Sequence, residues 1–199
     1  VLPLELPAGE FAGFIFDCDG TLADSMPLYH RAWQRALAAH GARFEFTWEL
    51  FISRAGMSTS LTVEGLNAEF GTTLEATSVE RHQHAEYLTL IDEVQPIHAV
   101  VDIARRYAGK LPMSVASGGS RPLVERTLEL IGVRELFPIV VVAADVPQGK
   151  PEPDIFLLAA ERMGVPPRDC LVFEDGEPGL LGARRAGMQT VYIDRGSRT

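Results

Sequence analysis

Cysteine occurs only at Cys18 and Cys170 in this 199-residue chain, too few for a disulfide scaffold and at no metal-ligand spacing. A reducing cytoplasm is the expected compartment. Lysine is equally scarce, confined to Lys110 and Lys150, so arginine dominates the basic residues. Those are outnumbered, 18 Lys plus Arg against 27 Asp plus Glu, for a formal net charge of -9. Phosphate-backbone recognition needs a basic stripe, so no nucleic-acid partner is expected, and anionic lipid surfaces are repelled in the same way. No stretch approaches the roughly 20 apolar residues that span a bilayer, so no membrane partner is expected either. The opening VLPLELPAGE has no basic segment ahead of an apolar core and does not read as a signal peptide. What remains is ordinary globular composition, 46% hydrophobic and 23% charged, with length enough for a real core in one or two domains.

The apolar run from Phe11 to Phe16 reads as a buried strand ending in Asp17-Cys18-Asp19-Gly20-Thr21. Leu28, Ala32, Trp33, Ala36 and Leu37 recur at three and four, which predicts an amphipathic helix from Pro27 to about Ala39, ended by Gly41. Three more helical stretches follow, near Trp48 to Arg54, Ser60 to Phe70 and Val79 to Ile91, with no strand pattern among them. After Pro96 the rhythm alternates. Helices are expected at Ile97 to Tyr107, Leu123 to Ile131, Ile155 to Met163 and Gly179 to Ala186. Strands are expected at Pro112 to Ala116, Ile139 to Val142, Cys170 to Phe173 and Thr190 to Ile193.

Alternating strands and helices imply right-handed crossovers and a doubly wound parallel α/β sheet covered on both faces. The expected organisation is an α/β core from residues 1–22 and 96–199, with residues 23–95 inserted after the first strand as a helical cap domain. Connections near Ala23 to Met26 and Asp92 to Pro96 would be its hinges.

Ligands of such sheets bind at the carboxyl ends of the strands, near the point where strand order reverses. The first strand runs into Asp17 and Asp19, the second into Ser117-Gly118-Gly119-Ser120 and the fourth into Glu174-Asp175-Gly176, while Lys150 follows the third. Four carboxylates converging on one point call for a cation between them, and oxygen-only ligands favour a hard ion such as Mg²⁺. Phosphate is the natural substrate group. Ser117 and the glycine amides after it form a candidate anion loop at a helix start, with Lys150 as a fixed positive charge. A carboxylate 4 Å from a phosphate dianion meets about 8 kcal/mol of repulsion at an effective dielectric of 20. That corresponds to roughly six orders of magnitude in rate, so the cation and Lys150 are requirements for attack.

Asp17-Cys18-Asp19-Gly20-Thr21, then Ser117, then Lys150-Pro151-Glu152-Pro153-Asp154, then Glu174-Asp175 resemble the four ordered motifs of the haloacid dehalogenase superfamily. Within it, FIFDCDGTLADS, GKPEPDIF and VFEDGEPGLLGARRAGM are similar to the branch of beta-phosphoglucomutase and small sugar-phosphate phosphatases. The resemblance implies that Asp17 is the nucleophile and Asp19 the general acid and base, its carbonyl helping to hold the metal. It further implies that Ser117, Gly118 and Lys150 bind phosphoryl oxygens, with Asp17, Asp19, Glu174 and Asp175 around Mg²⁺.

Departures narrow the chemistry. Dehalogenating relatives lack the second aspartate, present here as Asp19. Phosphonate-cleaving relatives use a cap lysine, and residues 23–95 contain none. Thr59 stands where the mutase has an arginine for a second phosphate, and Tyr29 where it has a histidine, so hydrolysis is favoured over mutase activity. Gly176 replaces the usual serine after the acidic pair. A catalytically silent binding protein on the same fold is the reading from another class, opposed by the intact motifs.

Specificity is expected in the cap, from Tyr29 and the loop Arg54 to Thr59, with Arg54, Gly56 and Ser58 as candidate contacts. The expected substrate is a compact phosphorylated metabolite and the expected state a monomer. Cys18 reads as a small apolar filler, the five histidines as structural or surface groups, and Trp33 and Trp48 as cap core.

Overall fold

The computed structural model describes Leu4, residues 6–54, Met57 and residues 59–194. The chain folds as two compact units, residues 1–24 with 95–199, and residues 25–94.

The first unit is built on five parallel strands, β1 (Gly13–Phe16), β2 (Met113–Ser117), β3 (Ile139–Val142), β4 (Cys170–Glu174) and β5 (Gln189–Tyr192), in the order β3-β2-β1-β4-β5. This is the doubly wound sheet expected from the alternating pattern. Every residue of β1, β2 and β4 is buried, as in strands covered on both faces, and these strands are apolar apart from Ser114 and the strand-end residues Ser117 and Glu174. Helices α5 (His98–Tyr107), α6 (Arg121–Leu130), α7 (Asp154–Met163) and α8 (Glu177–Arg185) connect the strands after β1, following the four helices of the other unit in chain order. A core of Ile15, Ala116, Val141, Val172, Ile155, Phe156 and Ala183 packs strands against helices. On β1 and β4, Phe16 pairs in register with Phe173 and their rings stack with centroids 4.5 Å apart. This apolar floor lies one residue before Asp17 and Glu174.

The second unit is helical, α1 (Met26–Ala39), α2 (Trp48–Ser53), α3 (Thr59–Phe70) and α4 (Ala76–Leu90). Trp33, Leu37, Phe46, Phe51, Val63, Leu66 and Val79 form its core, with Trp48 packed against it. Both tryptophans are thus structural, as expected. Helix α4 starts three residues earlier than its apolar periodicity indicates. The Glu75 carboxylate accepts the Thr77 and Ser78 N–H groups, a cap that hydrophobic spacing does not report. Likewise β1 begins at Gly13, because Ala12 N–H already turns to the Asp169 carbonyl outside the ladder.

The chain leaves and re-enters the first unit at adjacent points. Asp24 N–H donates to the Gln95 carbonyl at 2.8 Å, Ile97 N–H donates to the Leu22 carbonyl at 2.8 Å, and Ala23 bridges Pro96 antiparallel.

Candidate active site

Strand order reverses about β1, since successive connections run to β2 and β3 on one side and to β4 and β5 on the other. The carboxyl ends of β1, β2 and β4 lie together there, and each presents a polar side chain: Asp17, Ser117 and Glu174 with Asp175.

Lys150 Nζ donates to Asp17 Oδ1 at 2.7 Å and lies 3.5 Å from Glu174 Oε2. Its ammonium also sits 5.4 Å from the Phe156 ring centre. Burial works to discharge this lysine, but the charges of Asp17 and Glu174 outweigh it and hold its pKa above the ordinary value. Lys150 is therefore a fixed cation at any physiological pH.

One carboxylate oxygen from each of Asp17, Glu174 and Asp175 lies within 4.8 Å of the others, and all three residues are buried. Burial, then the charge of Asp17, pushes the Glu174 carboxyl well above the usual carboxylate range, with Lys150 opposing. Three carboxylates facing one ammonium leave negative charge in excess, and the donors are all oxygen. This set fits a hard divalent cation. The Asp19 side chain is not in the trio. Its Oδ2 lies 3.5 Å from the point where a β-carbon on Gly119 would stand, and Ser117 Oγ lies 3.3 Å from that point. The first and second motifs thus meet at Gly119, whose N–H donates to Ser117 Oγ at 3.1 Å.

The turn after β1 is tight. The Cys18 carbonyl accepts the N–H groups of Leu22 and Ala23, and Gly20 takes φ 84°, a conformation that side chains rarely adopt. Cys18 itself is fully buried; burial, then the charges of Asp19 and Asp17, pushes its thiol up, as suits an inert filler.

Two residues of this site carry roles that motif reading left blank. The buried Thr21 donates its hydroxyl to Asp175 Oδ1 at 3.4 Å, bracing a carboxylate 154 positions away. A β-carbon at Gly179 would stand 1.9 Å from Glu174 Oε1, so the first turn of α8 admits the carboxylate only over glycine. Thr21 within DGT and the small residue within GLLG were the available signals, but their partners depend on the fold.

In the helical unit, Arg54 and Tyr29 are the cap candidates among the described residues. Arg54 Nη2 donates to Glu69 Oε2 at 2.5 Å with the side chain largely buried, so its guanidinium ties the end of α2 to α3. Tyr29 stacks on Tyr87 with ring centres 3.9 Å apart. Gly56 and Ser58 lie outside the described residues. His30 holds the Phe46 carbonyl at 2.8 Å among Phe46, Trp48 and Phe51, a structural placement.

Three buried carboxylates and one lysine at the carboxyl edge of a doubly wound sheet form a site suited to a cation and an anionic substrate, and known proteins narrow this further. A family model described as haloacid dehalogenase-like hydrolase matches residues 11–187, and the chain belongs to that family. It is 36% identical to the fructose-1-phosphate phosphatase YqaB of Escherichia coli (strain K12), over 92% of this chain and 96% of that protein. It is 34% identical to a probable pseudouridine-5'-phosphatase of Drosophila melanogaster, over 90% of this chain and 80% of that one. Among solved structures, a conserved haloacid dehalogenase-like protein from Agrobacterium tumefaciens superposes with TM-score 0.80 at 29% identity, covering 92% of this chain and 82% of that one. The chain is an enzyme, a phosphoric monoester hydrolase, of the branch indicated by its motifs. Among the described residues no helix is long and apolar enough to cross a membrane.

Proposed function

We propose that this protein is a Mg²⁺-dependent phosphatase that hydrolyses a small sugar or polyol phosphate through an aspartyl-phosphate. The observation that carries the reading is the 2.7 Å pairing of Asp17 with Lys150 beside the buried Glu174 and Asp175. An Asp17 oxygen attacks phosphorus, and the bond from phosphorus to the leaving oxygen breaks while Asp19 gives that oxygen its proton. Asp19, now ionised, takes a proton from water as the water attacks the same phosphorus; the Asp17 ester breaks and inorganic phosphate leaves. Ser117, the Gly118 backbone and Lys150 hold the phosphoryl oxygens throughout. Asp17, Glu174, Asp175 and the Asp19 carbonyl would hold Mg²⁺. Bound there, the cation supplies the charge neutralisation that lets a carboxylate approach a phosphate dianion.

The helical unit, residues 25–94, is read as the specificity cap, with Tyr29 and residues 54–59 as its candidate residues. Thr59 in place of a mutase arginine favours water over a second sugar phosphate as acceptor. The activities named for the bacterial relatives, on fructose 1-phosphate and hexitol phosphates, support a polyol-like substrate. The protein is read as a monomer, and its two cysteines, too few for a disulfide scaffold, suit a reducing compartment.

A panel of phosphorylated metabolites assayed for phosphate release, with Mg²⁺ and then with chelator, tests the proposal. Metal-dependent turnover of fructose 1-phosphate or a hexitol phosphate is expected. Isomer formation from beta-glucose 1-phosphate without net phosphate would reverse the choice of acceptor.

A further inference from the structure

The two phosphate-gripping segments are tied together by side chains that take no part in the chemistry above. Arg121 is the first residue of α6, immediately after the Ser117-Gly118-Gly119-Ser120 loop. Its two terminal nitrogens each donate to the Val140 carbonyl on β3 at 3.3 Å, and Nη2 also donates to Asp145 Oδ2 at 2.6 Å. That Asp145 oxygen accepts the Val142 N–H at 3.1 Å and lies 3.5 Å from Arg162 Nη1 on α7. Asp145 closes the turn 143–145 and stands five residues before Lys150. One half-buried carboxylate oxygen therefore joins the start of α6, the end of edge strand β3, the turn leading to Lys150 and helix α7.

Among the described residues, strand β3 has a neighbour on one side only, so its backbone groups on the open side need partners from elsewhere. Arg121 and Asp145 serve Val140 and Val142 in this way, and in doing so they set the spacing between the Ser117 loop and the Lys150 segment. An isolated exposed ion pair contributes little to stability. A shared oxygen that also closes a turn instead fixes geometry, and an error of about 1 Å in a gripping group can cost on the order of a hundredfold in rate.

We infer that Arg121 and Asp145 are positioning residues for phosphoryl binding, acting through the Ser117 loop and Lys150 without touching substrate. The inference rests on the phosphate-binding roles proposed for those two residues. It commits to the phosphoryl group as the affected ligand, whatever the leaving alcohol.

The test uses the full-length protein, an aryl phosphate as substrate, and inorganic phosphate as competitive inhibitor. Asp145→Asn and Arg121→Gln are each expected to raise both the KM and the phosphate inhibition constant about tenfold, with kcat less affected. The double variant should be no weaker than the worse single variant, because either substitution already breaks the Arg121–Asp145 contact that joins the two segments. Arg121→Lys, which keeps charge and most of the reach, should restore part of the loss, and it carries the same test if Asp145→Asn does not fold. A lower Tm with unchanged inhibition by phosphate would show a purely structural pair and overturn the inference, as would additive effects in the double variant. Wild-type protein that neither hydrolyses the ester nor is inhibited by phosphate would defeat the functional reading itself, before any variant is made.

Discussion

Gly179 and Glu174 are matched in shape: a β-carbon on the glycine would stand 1.9 Å from Glu174 Oε1, inside the carboxylate's own volume. Gly179→Ala should therefore expel Glu174 from the carboxylate trio. We expect the Mg²⁺ concentration for half-maximal activity to rise about tenfold or more, on the scale seen when groups supporting a metal site are lost. Alanine favours a helix over glycine, so the fold itself should not suffer from propensity. Titration of activity with Mg²⁺, alongside thermal denaturation, separates the two effects.

Asp17→Asn should abolish turnover, to at least about a thousandfold below wild type, since an amide cannot form the phosphoryl ester. Lys150→Met should lower kcat/KM by about a hundred- to a thousandfold, the scale of losing one fixed electrostatic contact to a transition state. It should also destabilise the protein, because Asp17 and Glu174 are left buried without their cation. Initial rates and denaturation midpoints measure both outcomes.

The Glu174 carboxyl is raised in the metal-free protein by burial and by Asp17. The folded state then holds a proton that the unfolded state has released. Metal-free stability should fall as pH rises from the ordinary carboxylate range to the raised value. Mg²⁺ must displace that proton, so its half-saturating concentration should rise as pH is lowered, by up to about tenfold per pH unit. A metal requirement that does not change with pH from the ordinary carboxylate range upward would contradict this.

Thr21→Val removes the hydroxyl that donates to Asp175 and leaves a similar volume. It should weaken Mg²⁺ activation several-fold, up to about tenfold, while Thr21→Ser should restore most of it. Equal loss in both variants would assign the effect to packing instead.

In the helical unit, Glu75 caps α4 and its pKa is lowered to about 2 by the Ser78 and Thr77 groups it accepts. Glu75→Ala should lower the Tm by about 2–4 °C near neutral pH. Because the folded-state value lies below the ordinary 4.5, this contribution is complete above that pH and disappears as pH falls toward about 2. The difference in Tm between wild type and variant should shrink accordingly.

Much of this was legible from residue order. Val140 to Val142 and Leu171 to Phe173 are apolar without alternation, as suits strands covered on both faces, and it is the alternation of strands with helices along the chain that announces a parallel sheet. Once strands were assigned, Asp17, Ser117 and Glu174 fell at carboxyl ends by position alone. Arg54 was less legible: an arginine at the end of a helix is equally suited to substrate or to a neighbouring helix, and Glu69 as its partner follows from how α2 packs on α3. The Arg121 and Asp145 contact was invisible for the same reason.

The order of strands and helices, the scarcity of lysine that singles out Lys150, and the residue types at the strand ends were determined by the sequence alone, because periodicity and side-chain chemistry are local properties. The tertiary structure decided which carboxylates share a space, that Lys150 reaches Asp17 across 133 positions, and that Gly179 makes room for Glu174. Those contacts follow from strand order and register, and in a sheet a slip of one residue turns every side chain to the opposite face.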